Sequence, residues 1–486
     1  MKISDLLLTG IATSLLSVNM SGQERPNVLF IAVDDLNDYV NCMKGALRAH
    51  TPNIDKLAKQ GTLFTNAHCQ APISGPSRAC IMTGMYPSTT GNYLQVNDVN
   101  IKKSNEKVGK AIFMADFFEG YGYKTMAVGK IFHNGDGAES FDEYGGRFDW
   151  FGPKPAERIN YDPAVRPGKS GSTQTDWGAY PEHDSLMTDF KVADWAVNKL
   201  GEDFDKPFFL AVGFLRPHVP WYVPQKWYDM FPKEKIKMPP YLPDDFNDIP
   251  DFAKIVAEAP MMPSTEELIK SNEWKDVVQA YLACVAFVDE QIGKVLNALD
   301  NSKYASNTIV VLWADHGYHL GEKNRFAKQA LWERDTRTVL IFRQRNDKGG
   351  KECNAPVQLV DIYPTLVELC SLPPYEQADG HSLADLLKNP GKKWDHPALS
   401  FYGVGNVVVR DERYRLTRYE DGSMELYDMV IDPNEWKNLA YDPREKTRIE
   451  NMAKHIPYRW APLSRYSNYD FNEYFKAKSE ESRKGL

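Results

Sequence analysis

Unbroken apolar runs alternate along this chain with amphipathic stretches, and two of the runs end in acid. Asn27 to Val33 (Asn-Val-Leu-Phe-Ile-Ala-Val) is apolar after its first residue and leads directly into Asp34 and Asp35. That is the pattern of a strand buried on both faces of a parallel sheet. Thr308 to Ala314 repeats it and delivers Asp315, His316 and Gly317, then Leu320, Gly321 and Glu322. Two further strand-like runs, Thr125 to Val128 and Pro207 to Phe214, precede Gly129-Lys130-Ile131-Phe132-His133 and Arg216-Pro217-His218-Val219-Pro220. Helical periodicity fills Ala111 to Glu119 and Val277 to Leu299. The alternation predicts an α/β fold, a mixed sheet covered by helices, with ligands in the crevice outside the carboxyl ends of its strands.

After about residue 400 the texture changes. Val407 to Arg410, Tyr414 to Tyr419 and Met424 to Asp428 are short alternating runs, with the hairpin signal Asp421-Gly422 between two of them. Residues 134–184 and 219–263, rich in Pro, Gly, Asp and aromatics, read as long loops that shape a pocket. Residues 1–22 carry a lysine, a brief apolar region and small polar residues, the build of a secretory signal peptide. No later run is long and apolar enough to span a membrane.

Composition narrows the function classes. The net charge is -8 over 486 residues, which disfavours bulk attraction to nucleic acid or a long polyanion and requires recognition to be local. The six cysteines lack metal-site spacing, and at most Cys353 and Cys370 invite a disulfide pairing.

The acids at the strand ends suit a divalent cation. Asp34, Asp35 and Asp315 are hard oxygen donors that favour calcium or magnesium, while His316 is more at home on zinc, manganese or iron. The ligand set by itself leaves the metal open.

Ser74-Gly75-Pro76-Ser77-Arg78, followed by Ala79 to Gly84, names a chemistry. Ser-x-Pro-x-Arg with a downstream Thr-Gly resembles the signature of the type I, formylglycine-dependent sulfatases. Lys130 and His133, Arg216 to Pro220, and Lys328 resemble the sulfate-handling segments of the iduronate 2-sulfatase branch. The likeness runs from about Pro26 to about Leu439, where Asp432-Pro433-Asn434-Glu435 resembles the closing segment of the smaller sulfatase subdomain.

The resemblance implies an alkaline-phosphatase-like large mixed sheet flanked by helices, with a smaller C-terminal antiparallel-sheet subdomain. The expected division is a signal peptide at 1–22, a catalytic domain at 23–400 and an α+β subdomain at 401–486. It implies one calcium ion held by Asp34, Asp35, Ser74, Asp315 and His316, and oxidation of Ser74 to formylglycine. The catalytic set it implies is Ser74, Arg78, Lys130, His133, His218 and Lys328.

In that chemistry a sulfate ester resists hydrolysis because its anionic oxygens repel nucleophiles, so cations must neutralise them. Arg78, Lys130 and Lys328 would do so, aided by the positive end of a helix expected to start near Ser77. An unmodified serine would end as a stable sulfate ester, whereas an aldehyde hydrate can expel sulfate with its second hydroxyl. His133 would be the base for that elimination, and His218 with Lys328 would assist the leaving alcohol. Serine at position 74, where human-type enzymes need cysteine, resembles bacterial members matured by a radical iron-sulfur enzyme. The expected location is therefore the periplasm or cell exterior of a bacterium. The expected substrate is a sulfated oligosaccharide, with 2-O-sulfated uronic acid units favoured. A phosphonate monoesterase or phosphodiesterase of the same superfamily, and an inactive glycan-binding relative, are the alternatives. The aromatic tail from His455 through Trp460 to Tyr469 either walls the pocket and stacks on a sugar or packs on the domain surface.

Overall fold

The computed structural model describes residues 25–135, 137–345 and 347–485. The segment read as a signal peptide lies outside them. Eleven strands come first in the chain: β1 (Asn27–Val33), β2 (Thr62–His68), β3 (Lys124–Gly129), β4 (Glu143–Tyr144), β5 (Trp177–Ala179), β6 (Phe208–Phe214), β7 (Trp221–Val223), β8 (Thr308–Ala314), β9 (Arg337–Arg343), β10 (Lys351–Cys353) and β11 (Val357–Gln358). Nine of these build one sheet in the order β10-β2-β9-β8-β1-β6-β3-β4, with β11 also on β2, while β5 and β7 pair separately. Only β9 runs against its neighbours β8 and β2.

The three central strands are apolar because both of their faces are covered. Leu29, Ile31 and Val33 of β1 join the core beneath the helix Trp274–Asp300, and Val28, Phe30 and Ala32 join the core beneath the helix Ile362–Leu369. Every residue of β1, β6 and β8 is buried. The long helix also fixes a neighbour: the Asp289 carboxylate accepts from Asn53 N at 3.1 Å and Ile54 N at 2.8 Å, capping the helix Pro52–Gln60 from across the layer.

Register decides where the chemistry emerges. Val33 pairs with Ala314 on one side and Phe214 on the other, and Gly129 pairs with Gly213. The residues that follow, Asp34, Asp315, Leu215 and Lys130, therefore leave the sheet along one edge.

The small sheet is antiparallel, with β12 (Ala398–Phe401), β13 (Val407–Arg410), β14 (Tyr414–Arg418) and β15 (Met424–Asp428) in that order. The hairpin expected at Asp421-Gly422 is present, with Tyr419 N donating to Ser423 O at 2.9 Å and Gly422 at φ 86°. Trp332 from the large body lies in the small sheet's core and donates Nε1 to Glu425 Oε2 at 2.9 Å.

Some expectations are corrected. The helix expected near Ser77 is Ser74–Thr83, so Ser74 itself opens it. Pro76 costs nothing there because a first-turn residue has no intrahelical partner for its nitrogen. All six cysteines are free, Cys353 and Cys370 included. Of the aromatic tail, Trp460 and Tyr469 pack, Trp460 stacking on Tyr93 with centroids 6.1 Å apart and the Tyr469 hydroxyl meeting that of Tyr402 at 2.5 Å, while Tyr458 stands 89% exposed. None of the described helices is long and apolar enough to cross a membrane.

Candidate active site

Ser74 sits at the centre of the strand-end edge. Its helix has no side-chain cap, and its first intrahelical bond is Ser77 N to Ile73 O at 3.1 Å, so the first turn's donors face the edge unpaired within the helix. Ser74 Oγ donates to Asp34 Oδ1 at 3.2 Å, lies 3.0 Å from His316 Nε2 and accepts from Lys328 Nζ at 3.5 Å. Asp34 and Asp315 hold Arg78 between them: Arg78 Nη2 donates to Asp34 Oδ1 at 3.1 Å and Nε to Asp315 Oδ2 at 3.0 Å. Arg78 Nη1 completes the seat on the carbonyls of Lys130 (2.5 Å) and Ile131 (3.0 Å). Lys130 Nζ pairs with Asp34 Oδ2, and Lys328 Nζ with Asp35 Oδ1 at 2.6 Å.

Two glycines make the seat for Lys130. Gly129 has φ 76°, and a Cβ on Gly213 would lie 2.2 Å from Lys130 O, so any side chain on β6 at that level would displace the Lys130 peptide. Asp189 holds the next segment, accepting Leu215 N at 2.7 Å and Arg216 N at 2.8 Å. His218 Nδ1 then lies 2.6 Å from Val219 O, the geometry of an Nδ1–H donor that leaves Nε2 for the cleft. The side-chain amide of Gln95 faces His133 Nε2 at 2.9 Å.

Charge at this edge is set by burial and crowding together. Burial raises the Asp34 carboxyl, but the cations Lys130, Arg78 and Lys328 outweigh it and hold the group well below the usual carboxylate range. Asp35 is raised by burial, which Lys328 only partly offsets. Burial brings Lys130 down to about 8 against the pull of Asp34. His133 and His218 are held neutral, first by burial and then by Lys130 and Lys328 respectively. Lys328 stays charged because Asp35 and Asp34 overcome its burial.

The donor set fits a divalent cation. Asp35, Asp315 and His316 each offer an atom within 4.8 Å of one another, as do Asp34, Asp35 and His218. Asp35 Oδ2 is buried without a hydrogen-bond partner, an expensive state that a cation would relieve. His316 Nδ1 lies 2.8 Å from Gly317 O, which leaves the Nε2 lone pair pointing at Asp35 Oδ1, 3.4 Å away. Asp35 itself has φ 59°, a left-handed turn that brings its carboxylate back beside Asp315, whose Oδ1 accepts Asp35 N at 3.1 Å.

Ser74, Arg78, Lys130, His133, His218 and Lys328 reach this edge with Asp34, Asp35, Asp315 and His316, while Glu322 does not: its carboxylate takes Tyr39 and Arg334 instead. The structure adds three residues to the edge: Gln95, Asp189 and Arg147, whose Nη1 donates to His133 O at 2.6 Å. Gln95 and Asp189 carry no local signal. Arg147 does, as a lone cation between Gly145-Gly146 and Phe148 to Phe151 in a loop.

A family model described as Sulfatase matches residues 26–372, and one described as N-sulphoglucosamine sulphohydrolase, C-terminal, matches residues 321–459. A sulfatase of Formosa agariphila is 49% identical, with 93% of this chain and 90% of that protein covered. Iduronate 2-sulfatase of Homo sapiens is 30% identical over 71% of this chain and 69% of its own. In fold, the chain is similar to a phosphonate monoester hydrolase of Agrobacterium radiobacter, with a TM-score of 0.70 at 21% identity, covering 88% of this chain and 94% of that one.

Proposed function

The chain belongs to the sulfatase family and is a sulfuric ester hydrolase, and from that premise we propose that it desulfates sulfated glycans, removing the 2-O-sulfate of uronic acid units through a formylglycine formed from Ser74. The observation that carries the reading is the position of Ser74 Oγ, within 3.0 to 3.5 Å of His316, Asp34 and Lys328 at an open helix N-terminus. Likeness to iduronate 2-sulfatase supports the choice of sugar.

Each side chain then has a task. Formylglycine supplies, as its hydrate, a nucleophilic oxygen with a second hydroxyl for release. Asp34, Asp35, Asp315, His316 and residue 74 would hold one calcium ion, which would supply positive charge for the sulfate oxygens. Arg78, Lys130 and Lys328 add theirs, and Arg78 keeps Asp34 and Asp315 in place. His133, held neutral, accepts a proton: with the Gln95 amide turned so that its oxygen takes Nε2–H, Nδ1 is left as the base. His218, with Lys328 beside it, would assist the departing alcohol, and the aspartates keep Lys328 charged.

We further propose that residues 1–22 direct export to the periplasm or cell exterior, that a bacterial radical maturase oxidises Ser74, and that the chain divides into 23–400 and 401–486. The test is sulfate release from size-defined sulfated oligosaccharides by protein co-produced with a serine-oxidising maturase, beside Ser74→Ala. Release from 2-O-sulfated uronates by the parent alone is expected. Release from other sulfated sugars only would overturn the sugar, and phosphodiester hydrolysis without sulfate release would overturn the glycan reading.

A further inference from the structure

Arg147 is a buried cation beside the site that touches none of the site's carboxylates. Gly145 and Gly146 tie its segment to the end of β3, Gly145 N donating to Ala127 O at 2.8 Å and Gly129 N to Gly146 O at 2.9 Å. Gly146 turns with φ 91° and delivers Arg147 next to the segment from Lys130 to His133. There Nη1 meets the His133 carbonyl, and the guanidinium lies 3.8 Å over the ring of Trp150.

The side chain is only 9% exposed, and its Nε is buried with no acceptor. Among the described residues it forms no ion pair. It feels the charge of Asp34, which Arg78 and Lys130 contact, and less strongly that of Asp98, which accepts from Asn134 N at 2.5 Å and from Gly135 N. The three aspartates of the edge are already matched by Arg78, Lys130 and Lys328. An arginine desolvated to this degree without a carboxylate is costly unless a ligand completes it.

The same segment reaches across the cleft. The Phe151 ring lies 5.8 Å from that of His218, and Phe151 O accepts Arg216 Nη2 at 3.2 Å. Residues 147–151 thus run from one histidine to the other, with Phe148 48% and Trp150 45% exposed between them. A sugar held between His133 and His218 would meet this strap, and a guanidinium fixed on an indole is shaped for a planar, two-oxygen anion.

We propose that Arg147, backed by Trp150, binds the carboxylate of the sulfated uronic acid ring and so determines specificity. This rests on the uronate reading above and adds to it the residue that distinguishes an acidic from a neutral sugar.

The test compares kcat/KM of the matured enzyme on a 2-O-sulfated uronate disaccharide, its carboxyl-reduced counterpart and a small aryl sulfate, for the parent, Arg147→Gln and Arg147→Lys. The parent should prefer the carboxylated sugar. Arg147→Gln should lose about 10- to 100-fold on it, chiefly through KM, the loss expected of one charge-assisted contact, and far less on the other two. Arg147→Lys should recover part of the preference. Calorimetric binding of both disaccharides to Ser74→Ala protein, with and without Arg147→Gln, should give the same contrast without turnover. Equal losses on all three substrates would overturn the inference, because the residue would then serve the sulfate or the fold. A parent enzyme indifferent to carboxyl reduction would overturn it while leaving the uronate reading intact. A parent that acts only on carboxyl-free sulfated sugars would sink that reading, and the inference with it.

Discussion

Lys328 and Asp35 stand 293 positions apart in the chain and 2.6 Å apart in space. The contact joins the loop after β8 to the turn after β1, and it is the one ion pair Asp35 makes with a lysine or arginine among the described residues. Asp35 is thereby half satisfied: Oδ1 has the ammonium, and Oδ2 has no partner.

The unsatisfied oxygen predicts that a divalent cation stabilises the protein. Calcium added to chelator-treated enzyme should raise its melting temperature by about 2–5 °C at saturating concentration. Asp35→Asn should reduce that shift. An unchanged melting temperature in calcium, read by calorimetry, would count against the site.

Ser74→Ala should abolish sulfate release while costing no more than about 1 kcal/mol of stability, the worth of an ordinary hydrogen bond. The hydroxyl contributes contacts to Asp34 and His316 but no packing volume that alanine fails to fill. Normal turnover by the variant would remove Ser74 from its proposed role.

His218→Ala should slow natural sugar sulfates by roughly 100-fold and activated aryl sulfates much less, because a good leaving group needs no proton. Rates on the two substrate types, measured side by side, decide the matter. Equal slowing would point to a role in holding the sulfate.

Away from the site, Asp361 predicts a pH dependence of stability. Its carboxyl is fully buried with no cation beside it; burial pushes it up to about 7, opposed only by the backbone N–H groups of His381 and Gln358. A raised carboxyl binds its proton more tightly when folded, so the stability it contributes is full below the unfolded value near 4 and is lost as pH rises through about 7. Each pH unit in that window removes up to about 1.4 kcal/mol. Asp361→Asn should therefore gain on the parent between pH 5 and pH 7.5 in urea unfolding. Parallel pH profiles would show that Asp361 is not the titrating group.

Much of the site is visible in the sequence because its chemistry hangs on strand ends. The runs that become β1 and β8 need no context to be read as buried strands, and the acids that terminate them are adjacent once those strands pair in register. The helix begins at Ser74, ahead of the expected start near Ser77, because Ser-Gly-Pro is a weak local beginning; the packed edge, not propensity, selects Ser74. The antiparallel insertion of β9 between β8 and β2 has no local sign at all, since it depends on pairings formed far along the chain. Asp189 and Gln95 were invisible for the same reason. Their partners lie 26 and 38 residues away, and nothing in their own surroundings announces them.

Ser74 has no exposed surface, and the groups that cover it arrive late: His316 follows it by 242 residues and Lys328 by 254. If residue 74 is converted by a second enzyme, that encounter has a deadline set by the ribosome. At about 5–20 residues per second, roughly 10–50 seconds pass between the emergence of Ser74 and that of His316, during which the signature is an open peptide. Once the last strands dock, residue 74 is left to groups small enough to enter the site, a sulfate ester among them, and a serine that missed its oxidation stays a serine in a well-formed protein that has lost its chance to become an enzyme.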